Sequence, residues 1–362
     1  MTDLWTEKYK FQHRLQGVVQ GTGEDIARTL EGALEKVTGR IVALEVKADD
    51  SKSYVYRKRY LQQQREQVTS VLDQVYADIG QGIKDKAVET GLAMPGMVDA
   101  MVKNAGITVE LGVPNLTKKQ VTAWFEASQV EGLYFNEWLK KLEGNAVARI
   151  VQETREAKVL SESLRQTAKR LQNALDVGRR SAEGLAHNAL HTMANWAERQ
   201  YWIENQDKIT GLRFVSEIDR QTCPLCIPLD QRVFKVDECP QPPLHHLCRC
   251  TVMPVFKWDD GNARLGTRPA RIDTEARTVK HRDGTTSTKY ESLRVQHIST
   301  GLTHSQWMQS MVHSTDPRDV AFAREALGPT RFELVKSGKL TVERLYYGGE
   351  LRTIKELEAL TK

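Results

Sequence analysis

The sequence has no uncharged apolar run close to the roughly 18 residues that a membrane helix needs. Residues 1–8 also lack the basic and apolar layout of a signal peptide. We therefore expect synthesis in a cytosol and no membrane partner. A strong charge bias is absent as well, because the formal net charge is only +5 over 362 residues. Composition alone therefore does not indicate a nucleic-acid-binding protein.

Hydrophobic residues make up 40% of the chain and charged residues 27%, which is typical of folded soluble protein. Apolar residues recur at steps of three and four through residues 15–44 and 61–83, which predicts a helical hairpin. Turn signals at Pro95-Gly96 and Pro114-Asn115 indicate a domain boundary. Helical patterns then resume, with capping-box spacing at Thr117 and Gln120 and a break at Gly178.

After residue 205 the pattern changes, and short alternating segments at 211–219, 233–236 and 251–255 predict strands. Residues 278–281 and 287–290 flank a turn and predict a β-hairpin. The sequence thus predicts a predominantly helical α+β fold in four parts. These are an N-terminal helical hairpin or arm (1–110), a helical platform (111–205), a small Cys/His-cluster module containing β-strands (206–260) and a mixed C-terminal extension (261–362).

Cysteine is absent outside residues 223–250, where all five cysteines of the chain lie. Disulfides do not persist in a reducing cytosol, so this clustering indicates metal binding. Cys223 and Cys226 have the spacing of a metal-binding knuckle, and His245 and Cys248 repeat the same three-residue step. Cys250 competes for the fourth ligand position, because along an extended chain it shares a face with Cys248.

Zinc is the expected ion, since thiolates with an imidazole suit it and a closed four-ligand site is structural. Two alternatives stay open at this point: thiols buried as small hydrophobic groups, and a reactive cysteine. Cys239 fits neither knuckle. His187 and His191 lie one helical turn apart without a third ligand, so we interpret them as ordinary core or surface histidines.

Residues 264–294 contain eight Lys or Arg residues against four Asp or Glu residues. A solvated loop surface is one interpretation of this excess, and weak contact with phosphates is the other. The candidate residues for nucleic-acid contact are Arg264, Arg268, Arg271, Arg277, Lys280 and Arg282.

The cluster region carries two motifs: Ile218-Asp-x-x-Thr-Cys-x-x-Cys226 and Pro242-Pro-x-His-x-x-Cys-Arg-Cys250. Together they resemble the motifs of phage Mu F-like head-morphogenesis proteins, with Ile218 at the position of a leucine. Residues 132–138, the helix through 189–205 and the tail at 305–357 are similar to that family too. The sequence departs from it at Asp230-Gln231, where the family usually has Asp-Gly, and at His187-Asn188, where Arg-Thr is frequent.

The resemblance implies a minor capsid protein without enzymatic activity, located in the virion inside the capsid and made in the bacterial cytoplasm. It also implies association with the portal protein, and contacts with major capsid or scaffolding protein or with packaged DNA. A zinc-dependent hydrolase or nuclease, with His246 or Asp219 as base, is the alternative. A sequence-specific DNA-binding zinc module is less favoured, because residues 251–254 read as a strand where a recognition helix should follow.

Overall fold

The computed structural model describes residues 3–46, 54–160, 162–258, 266–273, 276–280, 286–290 and 293–361. Its helices are α1 (Leu4–Val46), α2 (Tyr54–Asn104), α3 (Lys118–Ala127), α4 (Phe135–Val159), α5 (Leu164–Glu204), α6 (His304–Val312), α7 (Pro317–Leu327), α8 (Pro329–Lys336) and α9 (Ile354–Leu360). Short 3₁₀ helices span Ile227–Leu229 and Val342–Leu345. No described helix combines the length and apolar character needed to cross a membrane.

The strands are short. They are β1 (Gln129–Val130), β2 (Leu133–Tyr134), β3 (Ile209–Val215), β4 (Val233–Phe234), β5 (Thr251–Phe256), β6 (Thr267–Asp273), β7 (Ala276–Lys280), β8 (Thr286–Tyr290), β9 (Leu293–Ser299), β10 (Tyr346–Tyr347) and β11 (Glu350–Leu351). All the pairings between described strands are antiparallel. The predominantly helical α+β fold class is thereby confirmed.

Helices α1, α2, α4 and α5 pack around one hydrophobic core, which joins the predicted arm to the predicted platform. The end of α1 lies beside the start of α2, where Arg40 donates to Gln67 at 2.6 Å. At the opposite end, Phe11 of α1 packs in a core with Met101 of α2. The two helices therefore run antiparallel, as the hairpin prediction required. The residues between them, including the predicted break at 49–52, lie outside the described part of the chain.

Two predicted interruptions of helices are wrong. Pro95-Gly96 is not a turn, because α2 continues through it to Asn104. The flanking residues Met94 and Val98 are completely buried, and this packing outweighs the cost of about 3 kcal/mol for an internal proline. Gly178 does not end a helix either, since α5 runs through it. A side chain there would place Cβ 2.8 Å from the Tyr76 hydroxyl, so glycine allows α5 to approach α2 closely.

A buried ion pair fastens the start of α1 to the end of α5. The Lys8 ammonium lies 2.6 and 2.7 Å from the two carboxylate oxygens of Glu198. Burial lowers the pKa of Lys8, while the charge and hydrogen bonds of Glu198 oppose that shift. The indole N–H of Trp202 also donates to Glu198, at 3.3 Å. The pair is therefore well satisfied where it is shielded from water.

Strands β4, β3 and β5 form a three-stranded sheet in that order. In the β3–β5 register, Val215 faces Thr251 and Arg213 faces Met253. Beyond the sheet lies a C-terminal unit, which we define as the described residues of 266–361. Its core contains Trp307, Phe322 and Phe332. Ile218, which lies in the loop after β3, packs in the same core. The predicted β-hairpin is present as the β7–β8 pair, with Thr278 facing Thr288.

Candidate metal centre

The first knuckle, residues 223–226, follows β3 and is a tight hydrogen-bonded turn. The Cys226 amide donates to the Cys223 carbonyl at 3.0 Å and approaches the Cys223 sulfur at 3.4 Å. The next amide, that of Ile227, also donates to the Cys223 carbonyl, at 3.1 Å. This turn brings the two sulfurs to the same side of the chain, as metal-binding knuckles do.

The second knuckle, residues 245–250, leads into β5. The Cys248 amide donates to the His245 carbonyl at 3.1 Å, and Leu247 has a positive φ of 56° inside this turn. Because Cys250 directly precedes β5, and β5 pairs with β3, the sheet carries the second knuckle to the first. Antiparallel pairing of two strands thus brings together cysteines that are more than 20 residues apart in the sequence.

The structure brings the five predicted ligands together in two overlapping groups, which we call the Cys/His cluster. One group is Cys223, Cys226 and His245; the other is Cys226, Cys248 and Cys250. Within each group the ligand atoms lie within 4.8 Å of one another. Cys226 belongs to both and is completely buried, so it is the central member of the cluster. Cys239, expected outside the site, is in neither group.

The cluster fits a zinc ion in its chemistry and in its spacing. Zinc–sulfur bonds are about 2.3 Å long, so two sulfurs of a tetrahedral site lie about 3.8 Å apart. The Cys226 and Cys248 sulfurs are separated by 3.9 Å. Five donors are present where a tetrahedron takes four, so His245, Cys248 and Cys250 remain alternative partners of the first knuckle. The hydrogen bond between the two thiols lowers the pKa of Cys223 to about 6 and raises the pKa of Cys226.

Helix α5 supports the second knuckle through residues three and four positions apart. His187 Nε2 lies 3.2 Å from the Cys248 carbonyl oxygen, and the Leu247 amide donates to Asn188 Oδ1 at 3.0 Å. One turn earlier, Gly184 leaves room for the His246 ring, because a Cβ there would lie 2.6 Å from it. The site therefore rests on one face of α5.

His187 and Asn188 were not predicted to belong to this site, and both are buried. The available signal was their departure from the frequent Arg-Thr pair of the resembling family. His191, one turn beyond, packs its ring 4.3 Å from that of His187. Burial lowers the pKa of both histidines, so each is held as a neutral ring. Neither histidine belongs to the two groups of candidate ligands, and His187 also contacts the second knuckle.

Arg249 links the second knuckle to Asp219, which lies in the segment that leads into the first knuckle. Its guanidinium donates to both carboxylate oxygens of Asp219, at 2.7 and 3.1 Å. The Thr222 hydroxyl and the Gln221 amide also donate to this carboxylate, at 3.1 and 2.9 Å. Burial alone would raise the pKa of Asp219, but the hydrogen bonds and charge of Arg249 hold it below its ordinary value. Asp219 is therefore an ionised partner of Arg249.

The prediction of nucleic-acid contact is wrong for Arg268. Its side chain is completely buried, and it binds the equally buried Asp230 at 3.0 and 2.5 Å. The local charge count could not show this, because Asp230 lies 38 residues earlier in the chain. Arg271 is exposed. Arg264 and Arg282 lie outside the described residues, and of Arg277 and Lys280 only the backbone is described, in β7.

The helical bundle, the small sheet and the Cys/His cluster define a mainly helical α+β protein with a candidate metal centre seated on a long helix. A model of the family described as "Phage Mu protein F like protein" matches residues 148–253. This segment begins within α4, contains α5 and both knuckles, and ends within β5. The Mu F-like resemblance is confirmed there, and it supports a phage head-related protein. Neither the curated proteins nor the solved structures gave a match.

Proposed function

We propose that the chain is a minor head protein of a tailed phage, a structural assembly component that associates with the portal protein in the procapsid. The observation that carries the proposal is the coincidence of the family match with the site. Residues 148–253 include the supporting face of α5, Arg249 and all five members of the Cys/His cluster. The family match thus covers the part of the molecule that holds the candidate metal centre.

In this proposal the cluster holds a structural zinc ion. Cys223 and Cys226 bind it with two of the three groups His245, Cys248 and Cys250. Bound there, zinc would supply a cross-link between the knuckles. The chain needs such a link, because residues 235–250 contain only turns and coil. A loop of this length has few main-chain hydrogen bonds to hold it in place.

The environment of the cluster favours a structural role over catalysis. Of the two candidate bases of a zinc enzyme, Asp219 is paired with Arg249, and His246 Nδ1 lies 3.1 Å from Glu131. The other edge of the His246 ring faces Gly184. Paired with Arg249, Asp219 is not the free base that metal-assisted hydrolysis requires.

The metal can be tested by elemental analysis of the purified chain. We expect a single zinc ion per chain. Cys226→Ser removes the member shared by both groups and should lose the metal together with thermal stability. Cys239→Ser is the matched control, since Cys239 is buried but lies outside the cluster. It should keep the metal. A metal-free wild-type chain, with a stability that a chelator leaves unchanged, would contradict the metal centre.

The assembly role can be tested with phage components. We expect the chain to be retained by the portal protein encoded by the same phage, and to be detected by mass spectrometry in purified virions. Contacts with capsid or scaffolding protein can be measured in the same way. Absence from virions, together with no retention on the portal protein, would refute this role.

Because Arg268 is bound to Asp230, the proposed contact with packaged DNA is limited to the other predicted residues, which are Arg264, Arg271, Arg277, Lys280 and Arg282. Such contact would be independent of sequence and would weaken steeply with salt. Arg271→Gln should therefore reduce the salt dependence of DNA binding. DNA binding that is the same at low and high salt would refute the contact.

A further inference from the structure

Arg249 lies between two candidate metal ligands, Cys248 and Cys250, and its guanidinium points away from them to Asp219. Asp219 is only 5% exposed, so its charge depends on the groups that surround it. Arg249 is the cation that donates to both of its oxygens. The position of the second knuckle therefore decides whether this buried carboxylate is paired.

The main chain of Asp219 forms part of the surface that the C-terminal unit contacts. His304, the first residue of α6, is buried, and its Nε2 lies 2.7 Å from the Asp219 carbonyl oxygen. Ile218, the residue before Asp219, packs in the core of the C-terminal unit, and its carbonyl accepts a hydrogen bond from the Arg271 amide at 2.7 Å. The His304 amide in turn donates to Asp230 at 2.7 Å. The C-terminal unit is thus docked on the residues that lead into the first knuckle.

Two further contacts join the region of the first knuckle to the C-terminal unit. Arg220 donates to Glu325 of α7 at 2.9 Å. Leu225, inside the knuckle, lies against Gly349 in the turn between β10 and β11, so closely that a Cβ at Gly349 would be 2.7 Å from its side chain. Movement of either knuckle therefore reaches the C-terminal unit directly.

From these contacts we infer that metal binding at the Cys/His cluster controls the docking of the C-terminal unit. With the metal bound, the second knuckle holds Arg249 against Asp219, and the segment 218–220 keeps the shape on which α6 and α7 rest. When the metal is released, Arg249 is no longer held, and a buried carboxylate is left without its cation. Such a carboxylate is strongly unfavourable until water reaches it, which requires the unit to open. The inference rests on the proposed metal centre and adds a regulated surface to it.

The test is hydrogen exchange of the full chain, measured with zinc present and after zinc has been removed by a chelator. Metal content is determined on the same samples. Zinc removal should raise exchange in α6 and β9 by about 10- to 100-fold, the effect expected for losing charge-assisted hydrogen bonds. Exchange in α2 should stay unchanged and serves as the internal control. Arg249→Gln should raise exchange in α6 while zinc stays bound, whereas Arg271→Gln, on the same surface but exposed, should not.

The outcomes separate this inference from the metal centre itself. Zinc that is bound and then removed with no change of exchange in α6 overturns the inference and leaves the metal centre standing. A wild-type chain that holds no zinc overturns both. An equal rise of the hydrogen-exchange rates in α2 and α6 shows global unfolding and also overturns the inference. If Arg249→Gln does not retain zinc, the wild-type comparison decides alone.

Discussion

The buried pair formed by Arg268 and Asp230 allows the sharpest stability prediction. Arg268→Met removes the cation and keeps a side chain of similar length in a site that is completely shielded from water. Asp230 then retains two main-chain donors, the Ser216 amide at 2.9 Å and the His304 amide at 2.7 Å. The carboxylate keeps part of its hydrogen bonding but loses the opposite charge.

Breaking a buried pair by removing one partner costs about 3–5 kcal/mol. The two remaining amide donors put the expected loss at the lower end, about 3 kcal/mol in the free energy of unfolding of the C-terminal unit. Asp230→Asn in the Arg268→Met background removes the unpaired charge and should recover part of that loss. The two substitutions should therefore couple by about 1–3 kcal/mol.

The measurement is urea unfolding combined with native-state hydrogen exchange, which reports the opening of the C-terminal unit separately from the bundle. Arg271→Met is the matched control: it is three residues away on β6 and exposed, and it should change stability by less than about 0.5 kcal/mol. If Arg268→Met cost no more than the control and showed no coupling to Asp230, the buried pair would not be the contact that fastens this unit.

Two further predictions concern the sheet and α6. Gly211→Ala should destabilise the chain by about 1–3 kcal/mol, because its Cβ would lie 2.2 Å from the main-chain oxygen of Phe234 and separate β3 from β4. Gly144→Ala, where the structure leaves open space, should be neutral or stabilising in thermal unfolding. Burial lowers the pKa of His304 below 6.5, so stability should fall as pH drops below about 6.5, where the unfolded chain binds a proton that the folded chain does not. In His304→Gln the pH dependence of unfolding should be weaker, and an unchanged dependence would contradict this assignment.

Features set by neighbouring residues could be predicted from the sequence. The capping box at Thr117 is present, with the Gln120 amide donating to its hydroxyl at 3.3 Å. The ends of strands β3, β4 and β5 differ from those of the predicted segments by at most four residues. The spacing of the cysteines also indicated which side chains would meet, because a Cys-x-x-Cys turn needs no distant partner to form.

Features set by distant partners could not be predicted in this way. Gly178 was interpreted by its low helix propensity, whereas the structure uses it to admit Tyr76 from another helix. Arg268 was counted as surface charge, although its partner lies in a loop that only the folded sheet brings near. His187 and Asn188 acquire their contacts with the second knuckle through the packing of α5. In each case the tertiary neighbour, rather than the local pattern, determines the role of the residue.

Gln231 shows how a departure from a familiar pattern can be tolerated. It follows Asp230 at the position where the resembling family usually has glycine, and it adopts a positive φ of 67°. That conformation costs a non-glycine residue about 1 kcal/mol or more. The side-chain amide offsets the cost: oriented to satisfy both groups, it donates to the Thr300 carbonyl and accepts from Arg268, each at 3.0 Å.

Comparing two substitutions at Gln231 separates these effects. Gln231→Ala loses the hydrogen bonds and keeps the strained backbone, while Gln231→Gly loses the same bonds but relieves the strain. The free energy of unfolding of the glycine variant should therefore be about 1 kcal/mol higher than that of the alanine variant, even though glycine is the more flexible residue in the unfolded chain. Urea unfolding of both proteins measures the difference. An alanine variant at least as stable as the glycine variant would mean that the backbone at this turn is not strained, and that the family's glycine serves another purpose.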